Sequence, residues 1–172
     1  MTNYYRRMGL DASEVAIPLT FHIKSQNDPE YQKFIQCFNA TSEASNIWIV
    51  KPGENSNQGC GIEVADNLSE IKSLINANFR QTQRTSIVQR YIHNPLLISG
   101  RKFDIRAFAM LTSINGVQKG YVYRDCYFRT SSRLFSLDDF TREVHLTNDA
   151  VQRDDETYGK YENANKLSIN DF

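Results

Sequence analysis

The sequence predicts an α+β fold: an antiparallel-rich sheet with flanking helices, incomplete at both ends of the chain. Three observations carry that expectation. The stretch Lys102-Phe103-Asp104-Ile105-Arg106 alternates charge with apolar bulk, as a strand with side chains at period 2 requires. Asn115-Gly116 stands between two strand-like runs, a short-range hairpin signal. Two other stretches, at 28–38 and 67–79, space their apolar residues for helices instead.

The elements follow in order. Asp28-Pro29-Glu30 reads as a helix start, with Asp28 as cap and Pro29 in the first turn, and Tyr31, Phe34, Ile35 and Phe38 form its core-packing stripe. Residues 47–50 read as a short buried strand and 62–64 resume that pattern. The segment between them is rich in Gly, Asn and Ser, so the pair is a hairpin with a long polar tip. Asn67-Leu68-Ser69-Glu70 resembles a capping box, and Leu68, Ile71, Leu74 and Ile75 give the next helix one apolar stripe. Residues 86–92 read as a strand, Asn94-Pro95 as a turn, and 103–113 as one long strand to which 117–124 returns antiparallel. After Asn148 the chain turns polar and poor in strand formers, so 149–172 reads as a linker-like tail in which 167–172 begins a further element. No repeat or heptad run occurs, and 1–172 reads as one compact unit.

Composition narrows the function classes. With 172 residues, 40% hydrophobic and 23% charged, the chain can bury one good core. Twenty Lys and Arg balance twenty Asp and Glu, so there is no global attraction for nucleic acid or an anionic membrane, and anion recognition must be local. Cys37, Cys60 and Cys126 form an odd set with no CxxC pair, which fits reduced thiols better than a disulfide framework. His22, His93 and His145 lack zinc-site spacing. No apolar run reaches membrane-spanning length and the N-terminus lacks the apolar core of a secretory signal, so a cytoplasmic location is expected.

The charged ribbon carries the chemistry. Lys102, Asp104 and Arg106 share one strand face, while Phe103, Ile105, Ala107, Ala109 and Leu111 offer the other to a core. Desolvating such charges unmatched would cost several kcal/mol each, about the net stability of a small domain. A pocket for a phosphate-bearing ligand is the natural match. Lys51 closes a buried strand and enters the loop 52–61, whose amides can approach a phosphate closely, although the GxxxxGK[ST] spacing is absent. By itself that loop reads as a mobile hairpin tip with a solvated lysine, in preference to a phosphate site. Gln89-Arg90-Tyr91-Ile92 ends a strand where free backbone groups could meet a base edge; taken singly, it reads as a strand end with Tyr91 in the core.

Taken in order, WIVKPGENSNQGCGI, QRYIHNPLLISGRKFDIR, the stretch 123–129 and HLTN resemble the tubulin-tyrosine ligase-like family of ATP-grasp amino-acid ligases, from about Leu19 to the end of the chain. The resemblance implies an ATP-grasp-like fold, with ATP between two β-rich lobes. It implies that Lys51 contacts phosphate, that a loop including Gln58, Gly59 and Gly61 closes over it, and that Gln89, Arg90, Tyr91 and Ile92 hold adenine. Lys102 matches a phosphate-binding lysine, Asp104 a residue near the ribose, and Thr147 and Asn148 a polar pair at the nucleotide. Arg106 and Arg129 match arginines that clamp the acyl-phosphate and the incoming amino acid.

The implied reaction uses ATP to phosphorylate a carboxylate of tubulin, after which glutamate or glycine displaces phosphate. Tubulin or microtubules and the free amino acid are the implied partners, in the cytoplasm, cytoskeleton or cilium. Magnesium is the implied metal, with its ligands outside this chain, because the family's metal-binding Asp and Glu-x-Asn have no match here. Gln58 stands where the family commonly has Arg, and Phe135 where Tyr is common. The alternative reading is a non-catalytic module that binds nucleotide or tubulin and lacks the metal site.

Overall fold

A computed structural model describes residues 5, 7–11, 17–42, 46–54, 57–80 and 85–172. The chain divides into two compact units, Met1–Pro95 and Leu96–Phe172, where the sequence marks no boundary beyond the Asn94-Pro95 turn.

Among its described residues the first unit has four antiparallel strands, β1 (Thr20–Ile23), β2 (Trp48–Pro52), β3 (Glu63–Ala65) and β4 (Ser86–Arg90), in the order β1-β4-β2-β3. Two helices, α1 (Pro29–Ala40) and α2 (Leu68–Arg80), bury their apolar stripes against one face. Alternation decides that face: Phe21, Ile23, Trp48, Val50 and Val88 join Phe34, Ile71 and Ile75 in the core. The Phe34 ring meets Trp48 edge-on at 5.1 Å and Phe21 at 5.7 Å, so Phe34→Ala would cost about 3–5 kcal/mol. The expected start of α1 is present: the Asp28 carboxylate accepts from the amides of Glu30 at 3.0 Å and Lys24 at 2.9 Å, which holds its pKa down. At α2 the Asn67 side chain accepts from the amides of Ser69 and Glu70.

The opposite face of this sheet is polar. In register, Thr20 lies across from Gln89 and Gln89 from Ile49, while His22 lies across from Ile87 and Ile87 from Lys51. The base of the loop after β2 is clasped to the start of β4. The Gly53 amide donates to the Thr85 carbonyl at 2.8 Å, the Glu54 carboxylate accepts from the Thr85 amide and hydroxyl at 2.7 Å each, and His22 Nε2 reaches that hydroxyl at 2.7 Å.

The second unit contains β5 (Leu97–Ile98), β6 (Arg101–Arg106), β9 (Tyr127–Thr130) and β10 (Lys166–Ser168), in the order β10-β9-β6-β5, with a separate hairpin of β7 (Ala109–Ile114) and β8 (Val117–Val122). Here the expected long strand over 103–113 is corrected: it breaks after Arg106. Strand β6 pairs with β5 and β9, whose register ends with Arg106 opposite Tyr127, while β7 pairs with β8 alone. The Tyr123 amide closes the hairpin base on the Phe108 carbonyl at 2.9 Å. Charge alternates with apolar bulk up to Arg106 and gives way to an apolar run over 107–111, a pattern that carries no mark of a change of partner. The turn is as expected, with Asn115 and Gly116 both at positive φ.

The apolar side of the ribbon is not a core face along its expected length, since Ile105 is 57% and Leu111 72% exposed. Aromatic packing gathers instead at Phe103 and Phe128, with Phe172 stacked on Phe128 at 4.5 Å.

The stretch after Asn148 is also corrected, because it folds. It forms α4 (Asp149–Gln152), which follows the short helix α3 (Arg142–His145), then a 3-10 turn at Asn163–Asn165 and β10. Polar bonds hold it. Arg101 grips both Glu162 carboxylate oxygens from a buried position, and Tyr161 stacks on that guanidinium at 4.4 Å. Burial alone would raise the Glu162 pKa; the bonds from Arg101 and Thr130 outweigh it and hold the carboxylate ionised. The Asn165 side chain donates to Ser132 Oγ at 2.8 Å and the Thr130 carbonyl at 3.2 Å. Composition hides such a segment because satisfied polar groups, rather than apolar area, secure it. Among the described residues no helix is long and apolar enough to cross a membrane.

Candidate functional site

Lys51 sits on the polar face of the first unit's sheet, half-buried, with its ammonium donating to Gln89 Oε1 at 2.9 Å. The Gln89 amide donates in turn to Thr20 Oγ1 at 2.8 Å, and that hydroxyl to the Pro18 carbonyl at 2.6 Å. Burial pushes the Lys51 pKa down, and among the described residues no carboxylate pairs with it. A desolvated cation held by a neutral amide is suited to receive an anion.

The other sequence-expected residues of this unit divide. Gln58, Gly59 and Gly61 all take positive φ, and the Cys60 amide closes a turn on the Asn57 carbonyl at 3.0 Å. For Gln58, at φ 57°, that backbone costs about 1 kcal/mol. Gln89 shares the face of Lys51. Arg90 does not: its guanidinium lies over the Trp48 ring at 4.7 Å and donates to Thr41 Oγ1 at 3.1 Å, on the helix side. The free backbone amides expected here are also corrected for two residues, because Arg90 N donates to the Leu19 carbonyl and Tyr91 N to that of Ile47, at 2.8 and 2.9 Å. Both bonds extend the sheet past the strand end. Tyr91 is buried, which pushes its phenol pKa up, and Ile92 is exposed.

In the second unit the charged face of β6 is as the alternation predicts. Asp104 lies opposite Arg129 on β9, and Arg129 opposite Lys166 on β10. Arg129 forks onto the carboxylate, Nε to Oδ1 at 2.8 Å and Nη2 to Oδ2 at 2.7 Å, and the Thr147 hydroxyl donates to Oδ2 as well. The bond to Asp104 raises the Arg129 pKa further, so this guanidinium is always charged. Lys102 donates to the His145 carbonyl at 2.8 Å. The His145 ring is buried between Phe135 and Phe140 with Nε2 on the Asp139 carbonyl at 2.7 Å, and burial depresses its pKa. Arg106 is exposed at the end of β6. Asn148 caps α4 through its backbone, its carbonyl accepting from Val151 and Gln152, and not through its side chain.

This face therefore brings Lys102, Asp104, Arg129 and Thr147 together, with Arg106 and Lys166 beside them. The family model for tubulin-tyrosine ligases matches residues 3–172. The chain belongs to the tubulin-tyrosine ligase family. Its relatives within that family include tubulin glycylase 3B of Drosophila melanogaster, 43% identical over 63% of this chain and 14% of the relative. Human tubulin monoglycylase TTLL3 is 43% identical over the same shares of each chain. The probable alpha-tubulin polyglutamylase Ttll1 of Tetrahymena thermophila is 34% identical over 84% of this chain and 35% of its own length. The matched stretch thus spans about a seventh of the glycylases. A mixed fold with antiparallel sheets accords with the ATP-grasp-like architecture of the tubulin-tyrosine ligase family.

That family generally uses ATP and magnesium, and the chain's own residues bear differently on the two. An uncompensated Lys51 ammonium fits a phosphate. Among the described residues no three His, Cys, Asp or Glu side chains converge as a metal site needs, so no step is assigned to a metal here. Sequence reasoning left out Thr20, whose alternation with Phe21 and Ile23 placed it on the polar face, and Lys166, hidden in a segment read as irregular.

Proposed function

We propose that this chain binds ATP and forms the nucleotide-binding part of a ligase that joins glutamate or glycine to a carboxylate of tubulin. The observation that carries this reading is Lys51, a half-buried ammonium whose bonded partner is the neutral Gln89 amide. Family membership and the glycylase and polyglutamylase names of its relatives support it.

Bound ATP would supply the phosphoryl group that converts the acceptor carboxylate to an acyl-phosphate, from which the amino acid's amine displaces phosphate. The chain's own residues would bind and orient. In the first unit Lys51 and the backbone around Gln58, Gly59 and Gly61 would hold phosphate, with the segment Gln89, Arg90, Tyr91 and Ile92 at the base. In the second, Lys102 would take phosphate, Asp104 with Thr147 and Asn148 the sugar side, and Arg106 and Arg129 would neutralise charge on the reacting carboxylate. None of these is assigned a proton transfer. Work on tubulin implies a cytoplasmic place at the cytoskeleton or cilium.

The test is calorimetric titration of the 172-residue chain with ATP and magnesium. Saturable binding that Lys102→Ala abolishes without unfolding the protein is the expected result. No binding by the wild-type chain would overturn the proposal.

A further inference from the structure

The bonds behind Lys51 run in one direction only. Lysine can only donate, so Gln89 must present its oxygen to Lys51 and its NH2 elsewhere. That NH2 meets Thr20 Oγ1 at 2.8 Å, and the Thr20 hydroxyl must then spend its proton on the Pro18 carbonyl, 2.6 Å away, which can only accept. A main-chain carbonyl ahead of β1 thereby fixes the rotamer of a hydroxyl two strands from Lys51, which fixes the flip of an amide on the strand between them. The register makes the relay possible, because Thr20 lies directly across from Gln89 and Lys51 pairs two residues along β4 on the same face. All members are half-buried, where water competes weakly for these bonds.

We propose that Thr20 is a positioning residue for the Lys51 ammonium, acting through the Gln89 amide. Its value for phosphate binding rests on the nucleotide reading above; the relay itself does not. Gln89 on this account orients the lysine through one N–H and one lone pair of its side-chain amide. Nothing in the relay is acidic, so it aims the ammonium without neutralising it, which a carboxylate in the place of Gln89 would do.

Thr20→Val keeps the branched shape that a strand favours and removes both hydroxyl functions, while Thr20→Ser restores them. The readout is the pH titration of the Lys51 ε-CH2 signal in [13C]lysine-labelled protein, assigned with Lys51→Arg, beside ATP calorimetry. In Thr20→Val the midpoint is expected to fall by about half a pH unit, since the ammonium loses an oriented acceptor, and ATP affinity to drop about fivefold. Thr20→Ser is expected to return both to wild-type values, and Thr20→Ala to repeat the Val result should Val perturb the fold. A Lys51 midpoint unchanged in folded Val and Ala variants would overturn the relay. A wild-type chain that binds no ATP would defeat the nucleotide reading, and the Lys51 titration would still decide the relay for or against.

Discussion

Arg129 faces Asp104 across the β6–β9 pairing and holds both of its carboxylate oxygens, at 2.8 and 2.7 Å. The fork neutralises Asp104 at the centre of a cationic face, with Lys102 and Arg106 beside it and Lys166 paired to Asp149 at 3.4 Å. The face is thus internally braced and still net positive, the combination that an anionic ligand needs from a preformed surface.

Asp104→Asn should therefore destabilise the protein by about 1–2 kcal/mol, because the guanidinium loses a charge-assisted fork in a partly solvated setting. Urea unfolding of Asp104→Asn, Arg129→Gln and the double variant measures the coupling. Additive effects would mean that the two side chains stabilise the fold independently of each other.

Lys51→Met should leave thermal stability unchanged or raised, since it removes a desolvated charge, and should weaken ATP binding at least tenfold. Burial lowers the Lys51 pKa, so the folded state holds fewer protons than the unfolded one between that pKa and the ordinary 10.5. Wild-type stability should then gain on Lys51→Met as pH rises through this window. A variant that melts well below wild type at pH 7 would assign Lys51 to the fold instead.

Glu162→Gln should cost about 3 kcal/mol at pH 7 by stranding the buried Arg101 guanidinium. The Glu162 pKa is lowered from 4.5, so its contribution is complete above that value and is lost as pH falls through the lower folded value. Denaturation of the two proteins at pH 7 and pH 3 checks this: the gap should be wide at the first and narrow at the second.

Gln58→Gly should stabilise the chain by about 0.5–1 kcal/mol, because glycine meets φ 57° without a Cβ clash. Gln58→Arg should keep the strain and tighten ATP binding by adding a cation to the loop. Equal affinity of Gln58→Arg and wild type in calorimetry would remove this loop from the phosphate contacts.

Much of this is legible in the amino-acid sequence, for reasons that differ by element. Asp28, Pro29 and Asn67 announce helix starts because capping is a local bond between neighbours in sequence. The shared face of Lys102 and Asp104 follows from alternation alone. What alternation cannot carry is the identity of the partner strand, so the break at Arg106 leaves no trace in it, and Leu111 reads as part of a core that it does not reach. Nor does polarity distinguish solvent from a buried polar network: Gln152, Asp155 and Asn165 are all buried in a stretch whose composition reads as loop. Arg90 illustrates the same gap, since only the register with Trp48 reveals which side of the sheet its guanidinium takes.

Position 53 admits hydrogen and nothing larger. A methyl group built on Gly53 would overlap the Thr85 hydroxyl and stand 3.1 Å from Thr85 Cβ and 3.2 Å from its carbonyl oxygen. Thr85 has no room to yield, being hooked to Glu54 on one side and His22 on the other. Even alanine there would prise the glycine-rich loop from the strand that anchors it, so a single absent carbon sets how closely two segments 32 residues apart can dock.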